Sequence, residues 1–107
     1  MYTIEYLPIA RRDMVDIAKY IGVKLANPDA AERLAEKMAE SAEDLANMPY
    51  KCPMYIPVKP LKHEYRKLIV HNYIMFYWID EDKKLVTIAR VVSVSYTHLT
   101  LPTNSRV

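Results

Sequence analysis

Residues 64–80 read EYRKLIVHNYIMFYWID. Two runs rich in β-branched and aromatic residues flank His71-Asn72, a polar pair short enough to be a two-residue hairpin link. Asparagine tolerates positive φ, which suits Asn72 to such a tight link. The second run, Tyr73 to Ile79, carries no charge. The first carries Arg66 and Lys67 side by side. An uncharged strand is expected at the centre of a sheet, with both faces covered. A basic strand is expected nearer the edge, where Lys and Arg discourage strand-to-strand aggregation.

Downstream, Asp80-Glu81-Asp82-Lys83-Lys84 reads as a polar hairpin loop, and Leu85–Val92 as a further strand. With Glu64–Val70 and Tyr73–Ile79, short connections make an antiparallel meander. Upstream, Pro49, Pro53, Pro57 and Pro60 mark a loop or edge region. Before it, two helices are expected. Pro8 opens the first, and Ile9, Met14, Ile17, Ala18, Ile21 and Leu25 fall at helical spacing. Asn27-Pro28 stops it and restarts the chain, with Asn27 as N-cap and Pro28 as the first helical residue. The second helix runs to about Asn47, with Ala31, Leu34, Ala35, Met38, Ala42 and Leu45 as its inward stripe. So short a break makes the pair an antiparallel hairpin. Thr3 to Leu7 reads as a short strand. The fold class is α+β: an N-terminal strand, then an antiparallel helical hairpin packed on a small antiparallel β-meander.

The chain has 107 residues, about one domain's worth, and 51% are hydrophobic, which suits a single modest core. The net charge of +2 does not by itself argue for a nucleic-acid partner. Its distribution says more. Five Lys/Arg (Lys51, Lys59, Lys62, Arg66, Lys67) and one acid (Glu64) lie between Tyr50 and Trp78, whereas acids outnumber bases eight to six from Pro8 to Met48. The later half therefore carries a basic local field that suits phosphate or acidic peptide. One cysteine, Cys52, leaves no internal disulfide and is compatible with a reducing compartment. Gly22 is the single glycine, so no Walker or dinucleotide loop is present. Cys52 and the histidines lack metal-ligand spacing, and no metal or cofactor is expected. The opening MYTIEYLPIARRD has no apolar core of a signal peptide, and no run reaches membrane-helix length.

Residues 93–107, SVSYTHLTLPTNSRV, differ from the rest. They hold six Ser/Thr, whereas the first 92 residues hold three. SYTHLTLPT resembles the translated read-through of a sequencing adapter. The domain is therefore expected to span 1–92, and 93–107 to be an unstructured, non-native tail with no role for Tyr96 or His98.

Two longer stretches carry a resemblance. YLPIARRDMVDIAKYI, with Ala10, Asp16, Ile17 and Tyr20, resembles the opening of the RelE/ParE toxin family. EYRKLIVHNYIMFYWIDEDKKLVTIARVV resembles that family's sheet, through Tyr65-Arg66, Asn72-Tyr73, Tyr77 and Arg90-Val91. The resemblance covers residues 2 to 92. It implies a cytoplasmic toxin of a type II toxin–antitoxin module, neutralised by a cognate antitoxin whose C-terminal segment wraps it. RelE-like members cut mRNA in the ribosome; ParE-like members poison DNA gyrase.

Metal-free RNA cleavage needs a base for the 2′-OH, a cation for the phosphate and an acid for the leaving oxygen. The resemblance makes Arg66, Arg90 and His71 the catalytic candidates. Lys62, His63, Lys67, Tyr65, Tyr73 and Tyr77 are the candidates for binding RNA or antitoxin. Each has a plainer alternative. Arg66 can be an edge-strand charge. Arg90 can ion-pair with Glu5 or Glu64. His71 and His63 can be loop polarity, and the tyrosines and Trp78 can be packing. RelE-like enzymes carry an arginine where this chain has Ile74, and an Arg-rich ending with an aromatic where the tail begins at Ser93. Three functions therefore stand open: a ribosome-dependent mRNA endonuclease, a gyrase poison, and an inactive antitoxin-binding domain lacking its genuine C-terminus.

Overall fold

The computed structural model describes residues 1–56, 61 and 63–94. In chain order these form β1 (Thr3–Tyr6), α1 (Pro8–Lys19), a π-helical turn (Tyr20–Lys24), α2 (Pro28–Asp44), β2 (Arg66–Val70), β3 (Tyr73–Asp80) and β4 (Leu85–Ser93). The expected meander is present: β2 pairs antiparallel with β3, and β3 with β4. The N-terminal strand joins the same sheet. The order is β1-β4-β3-β2, with β1 parallel to β4 from Thr3↔Leu85 to Tyr6↔Ile88. The sheet is thus mixed, not purely antiparallel. Parallel neighbours need a long crossover, and the helical hairpin lies within it.

Pro8 starts α1, which buries Ala10 and packs Met14 and Ile17 against the core. Ile9 and Leu25, expected inward, are exposed. The α-geometry stops at Lys19. The next turn is wider, with the Leu25 N–H donating to the Tyr20 carbonyl at 3.0 Å, and this swings Leu25 outward. Ala26 then takes φ 51°, reversing the chain. The Asn27 side chain accepts from the Ala30 N–H at 3.2 Å and Pro28 opens α2, as expected.

Helix α2 buries Leu34, Met38 and Ala42, and Leu45 follows on the same stripe. Ala35 is exposed instead of inward. The helix ends at Asp44, earlier than expected, and i→i+3 bonds to the carbonyls of Ala42, Glu43 and Asp44 tighten the turn that follows.

Strand β3 is covered on both faces, as its uncharged run Tyr73–Ile79 leads one to expect. Met75 and Tyr77 lie in the larger core with Met38, Leu68, Val86 and Ile88, under the helices. Phe76 lies in a smaller core with Tyr65 and Ala89 on the other face. The loop after α2 covers that face, with Tyr55 edge-on to Phe76 at a centroid separation of 5.1 Å. The register slips between Phe76 and Tyr77: Phe76 faces Arg90 and Tyr77 faces Ile88, so Ala89 is an extra residue on β4. In the β2–β3 turn the left-handed residue is His71, φ 54°, and not Asn72. Strand β4 continues through Ser93, past the expected boundary, and the Val94 N–H donates to the Asn72 carbonyl at 2.7 Å. The rest of the expected tail, 95–107, lies outside the described residues. Among the described residues no helix is long and apolar enough to cross a membrane.

Candidate functional site

Strand β1 ends at Tyr6, opposite Ile88, so the far half of β4 is paired with β3 on one side and has no strand on the other. Helix α1 supplies the missing acceptor. Asp13 Oδ2 takes the Val91 N–H at 3.0 Å and Arg90 Nε at 2.7 Å, and Oδ1 takes an Arg90 terminal nitrogen at 3.2 Å. Both side chains are largely shielded, at 17% and 14% exposure. Arg90 therefore pairs with Asp13, not with Glu5 or Glu64. A sequence signal for Asp13 exists: it stands between Ala10 and Ile17 on the inward side of α1, and an acid there requires a partner.

Arg66 opens β2 at the other edge of the sheet. Its Nη1 donates to the Cys52 carbonyl at 2.6 Å and to the Tyr50 carbonyl at 3.4 Å. Its guanidinium carbon stands 5.1 Å from the centroid of the Tyr50 ring. An open groove of about 290 Å³ is lined by Tyr50, His63, Glu64, Arg66, Trp78 and Ile79. His63 lies flat on the Trp78 indole there, 3.8 Å away and 3° from parallel. Lys67, next along β2, donates its backbone N–H to the Pro53 carbonyl at 3.0 Å. Lys62 lies outside the described residues.

The Tyr50 hydroxyl donates to Glu81 in the β3–β4 loop, as does the Tyr2 hydroxyl. Lys84 completes the cluster through its ammonium. Hydrogen bonds from Lys84, Tyr50 and Tyr2 hold the Glu81 carboxyl down at about 2. The same bond raises the Tyr50 phenol. Tyr2, Tyr50 and Glu81 were not among the sequence candidates; nothing in their spacing joins them.

Two of the tyrosine candidates are core residues. Tyr65 is 1% exposed and Tyr77 0%. The Tyr77 hydroxyl donates to the Pro49 carbonyl at 2.6 Å. Burial raises both phenols, Tyr65 to about 12. Neither ring is available to stack a base; both do the packing that was their alternative. Tyr73 is half-buried and borders two shallow hollows at the α1–α2 hinge. One, about 450 Å³, includes Leu25, Arg33 and the exposed His71; the other, about 410 Å³, includes Asp13, Asp16 and Val91. Tyr20 borders both. The three catalytic candidates thus lie apart: Arg66 on edge strand β2, Arg90 against α1, and His71 in the β2–β3 turn by the hinge.

A family model described as the ParE toxin of a type II toxin–antitoxin system, parDE, matches residues 4–95. The chain belongs to the ParE toxin family. Solved structures share the family fold. A chain of the chromosomal ParDE system from P. aeruginosa superposes with a TM-score of 0.69 at 17% identity, covering 87% of this chain and 96% of that one. A chain of the RelBE2 toxin–antitoxin complex from Mycobacterium tuberculosis gives 0.56 at 25% identity, covering 86% and 96%. One of the intact E. coli RelBE complex gives 0.53 at 16% identity, covering 90% and 100%. Among curated proteins none matches. As a ParE-family member the chain is the toxin of a type II toxin–antitoxin system. The α+β architecture of two helices on a four-stranded sheet is that of the ParE and RelE toxins.

Proposed function

We propose that this toxin arrests growth in the cytoplasm by binding DNA gyrase, without chemistry of its own, and is neutralised by a cognate antitoxin. The observation that carries the reading is that the three catalytic candidates, Arg66, Arg90 and His71, lie apart. Catalysis of RNA cleavage requires a base, an acid and a cation aimed at one phosphate. Arg90 is committed to Asp13, and His71 lies in the turn at the hinge. Ile74, where RelE-like enzymes carry arginine, pairs with Ile69 and Val92 in the middle of the sheet. What the surface offers is a docking face. Arg66, Tyr50 and the His63–Trp78 stack supply a cation amid aromatics, a combination enriched at binding hot spots. Arg66 is the contact for an acidic side chain of gyrase. The antitoxin is proposed from the similar structures, which are toxin–antitoxin systems. The hollows around Tyr20 and Tyr73 are its proposed seat.

The test is supercoiling of relaxed plasmid by purified gyrase, run beside a translation extract with a reporter mRNA. Blocked supercoiling with intact mRNA is the expected result. Unaffected gyrase with mRNA cut at codon boundaries overturns the reading.

One observation favours that second outcome. An imidazole, a carboxylate and a guanidinium, from His63, Glu64 and Arg66, line one groove. A codon-level cut abolished by Arg66→Ala would make the groove an RNase site. Expression of the chain without growth arrest would leave it as an antitoxin-binding domain only.

A further inference from the structure

Glu81 lies in the β3–β4 loop, apart from the docking face, yet it gathers three chain segments. Tyr2 comes from the start of β1, Tyr50 from the turn after α2, and Lys84 from its own loop. Of these, Tyr50 leads straight to Arg66. Its hydroxyl is held by Glu81, its ring faces the Arg66 guanidinium at 5.1 Å, and its carbonyl accepts from Arg66 Nη1. The same short segment supplies the Cys52 carbonyl, at 2.6 Å, and is tied from inside by the Tyr77 hydroxyl on the Pro49 carbonyl. An arginine on an edge strand ordinarily loses much side-chain freedom when a partner binds. Here that freedom is lost beforehand. The acceptors and the aromatic plate beside Arg66 sit on residues 49–52, pinned by Tyr77 on one side and Glu81 on the other. Among the described residues both hydrogen bonds use one terminal nitrogen, whereas a guanidinium has five N–H donors in a planar fork.

We propose that Glu81 is a positioning residue for Arg66, acting through Tyr50, so that the guanidinium meets an acidic side chain of its protein partner already oriented. The inference rests on the reading of Arg66 as a contact residue. Glu81 touches no partner; it fixes the plate and the carbonyl that orient the cation, and preorganisation of this kind strengthens binding by reducing the ordering cost.

The experiment uses the full chain with Glu81→Gln, Tyr50→Phe and Arg66→Ala, alone and paired. Tyr50→Phe keeps the ring and removes only the hydroxyl. Two readouts are taken: ¹⁵N relaxation of the Arg66 Nε–Hε group, and the toxin concentration that half-inhibits gyrase. Circular dichroism melting accompanies both. In Glu81→Gln and Tyr50→Phe the Nε–Hε order parameter falls while melting stays within a few degrees. The half-inhibitory concentration rises roughly tenfold in each. Added to Arg66→Ala, Glu81→Gln has no further effect on inhibition, because the residue it positions is gone. An unchanged Nε–Hε order parameter in both variants overturns the proposal, as does an equal loss from Glu81→Gln with and without Arg66. If Arg66→Ala leaves inhibition intact while the order parameter still falls in Glu81→Gln, the contact reading fails and the positioning stands. The relaxation readout needs no target, so it decides the positioning whether gyrase or mRNA is attacked.

Discussion

Asp13 and Glu81 are both carboxylates that tie distant segments together, and they do it in opposite surroundings. Asp13 is shielded and holds one arginine and one backbone N–H of β4. Glu81 lies in water and holds two phenols and one ammonium. Water competes for every bond of Glu81, so its network can set geometry while adding little stability. Asp13 has little solvent to fall back on. Removing it takes the carboxylate from a shielded guanidinium and leaves the Val91 N–H without that acceptor. The lesson is that count of bonds does not rank importance for stability; the solvent around them does.

The largest break in that contrast is Asp13→Ala. It should destabilise the fold by about 3 kcal/mol in urea titrations, because it takes the opposite charge away from a shielded guanidinium. Replacing Arg90 by Met in the same chain should recover part of the loss, since removing both charges is far cheaper than removing one. Tyr77→Phe provides a neutral yardstick. It removes one buried bond to Pro49 and should cost about 1 kcal/mol in the same assay. The acid limb isolates Glu81. Its carboxyl is lowered in the fold from 4.5 to about 2. A lowered group contributes stability above its unfolded value and loses it as pH falls through the folded one. Stability should therefore decline between pH 4.5 and 2, with a shallower slope in Glu81→Gln. The smallest effect is that of salt. At 1 M NaCl the screening length is about 3 Å. Glu81→Gln and the parent chain should then converge in stability, while the gap to Asp13→Ala persists.

Local chemistry was legible in the sequence, and contacts between distant segments were not. Asn27-Pro28 announces its cap and helix start because both act within one turn. The three meander strands appear at nearly their true ends because their turns are short. The partner of β1 was invisible: register pairs Thr3 with Leu85, and no local pattern encodes a partner so far along. Arg90 met the same obstacle. Glu5 and Glu64 are acids near the sheet in sequence, but β1 stops short of Arg90 and α1 fills the gap with Asp13. Strand β3 hid its own faces. An uncharged run carries no polar–apolar alternation, so nothing in it says whether Met75 and Tyr77 or Phe76 and Trp78 go inward under the helices. Tyr65 and Tyr77 were therefore candidates that only packing could withdraw, while Tyr50 and Glu81 needed three loops to meet before either acquired a role.

The parallel pairing of β1 with β4 has a consequence for the birth of the chain. The first strand made is the last to find its neighbour, because Leu85 and the residues after it must leave the ribosome before the ladder can close. At roughly 5–20 residues per second that wait is on the order of several seconds. The helical hairpin can form in that interval, but the sheet edge cannot. A toxin whose first strand is locked by β4 cannot close that sheet edge until β4 has left the ribosome. The cell therefore has the length of that delay to supply an antidote.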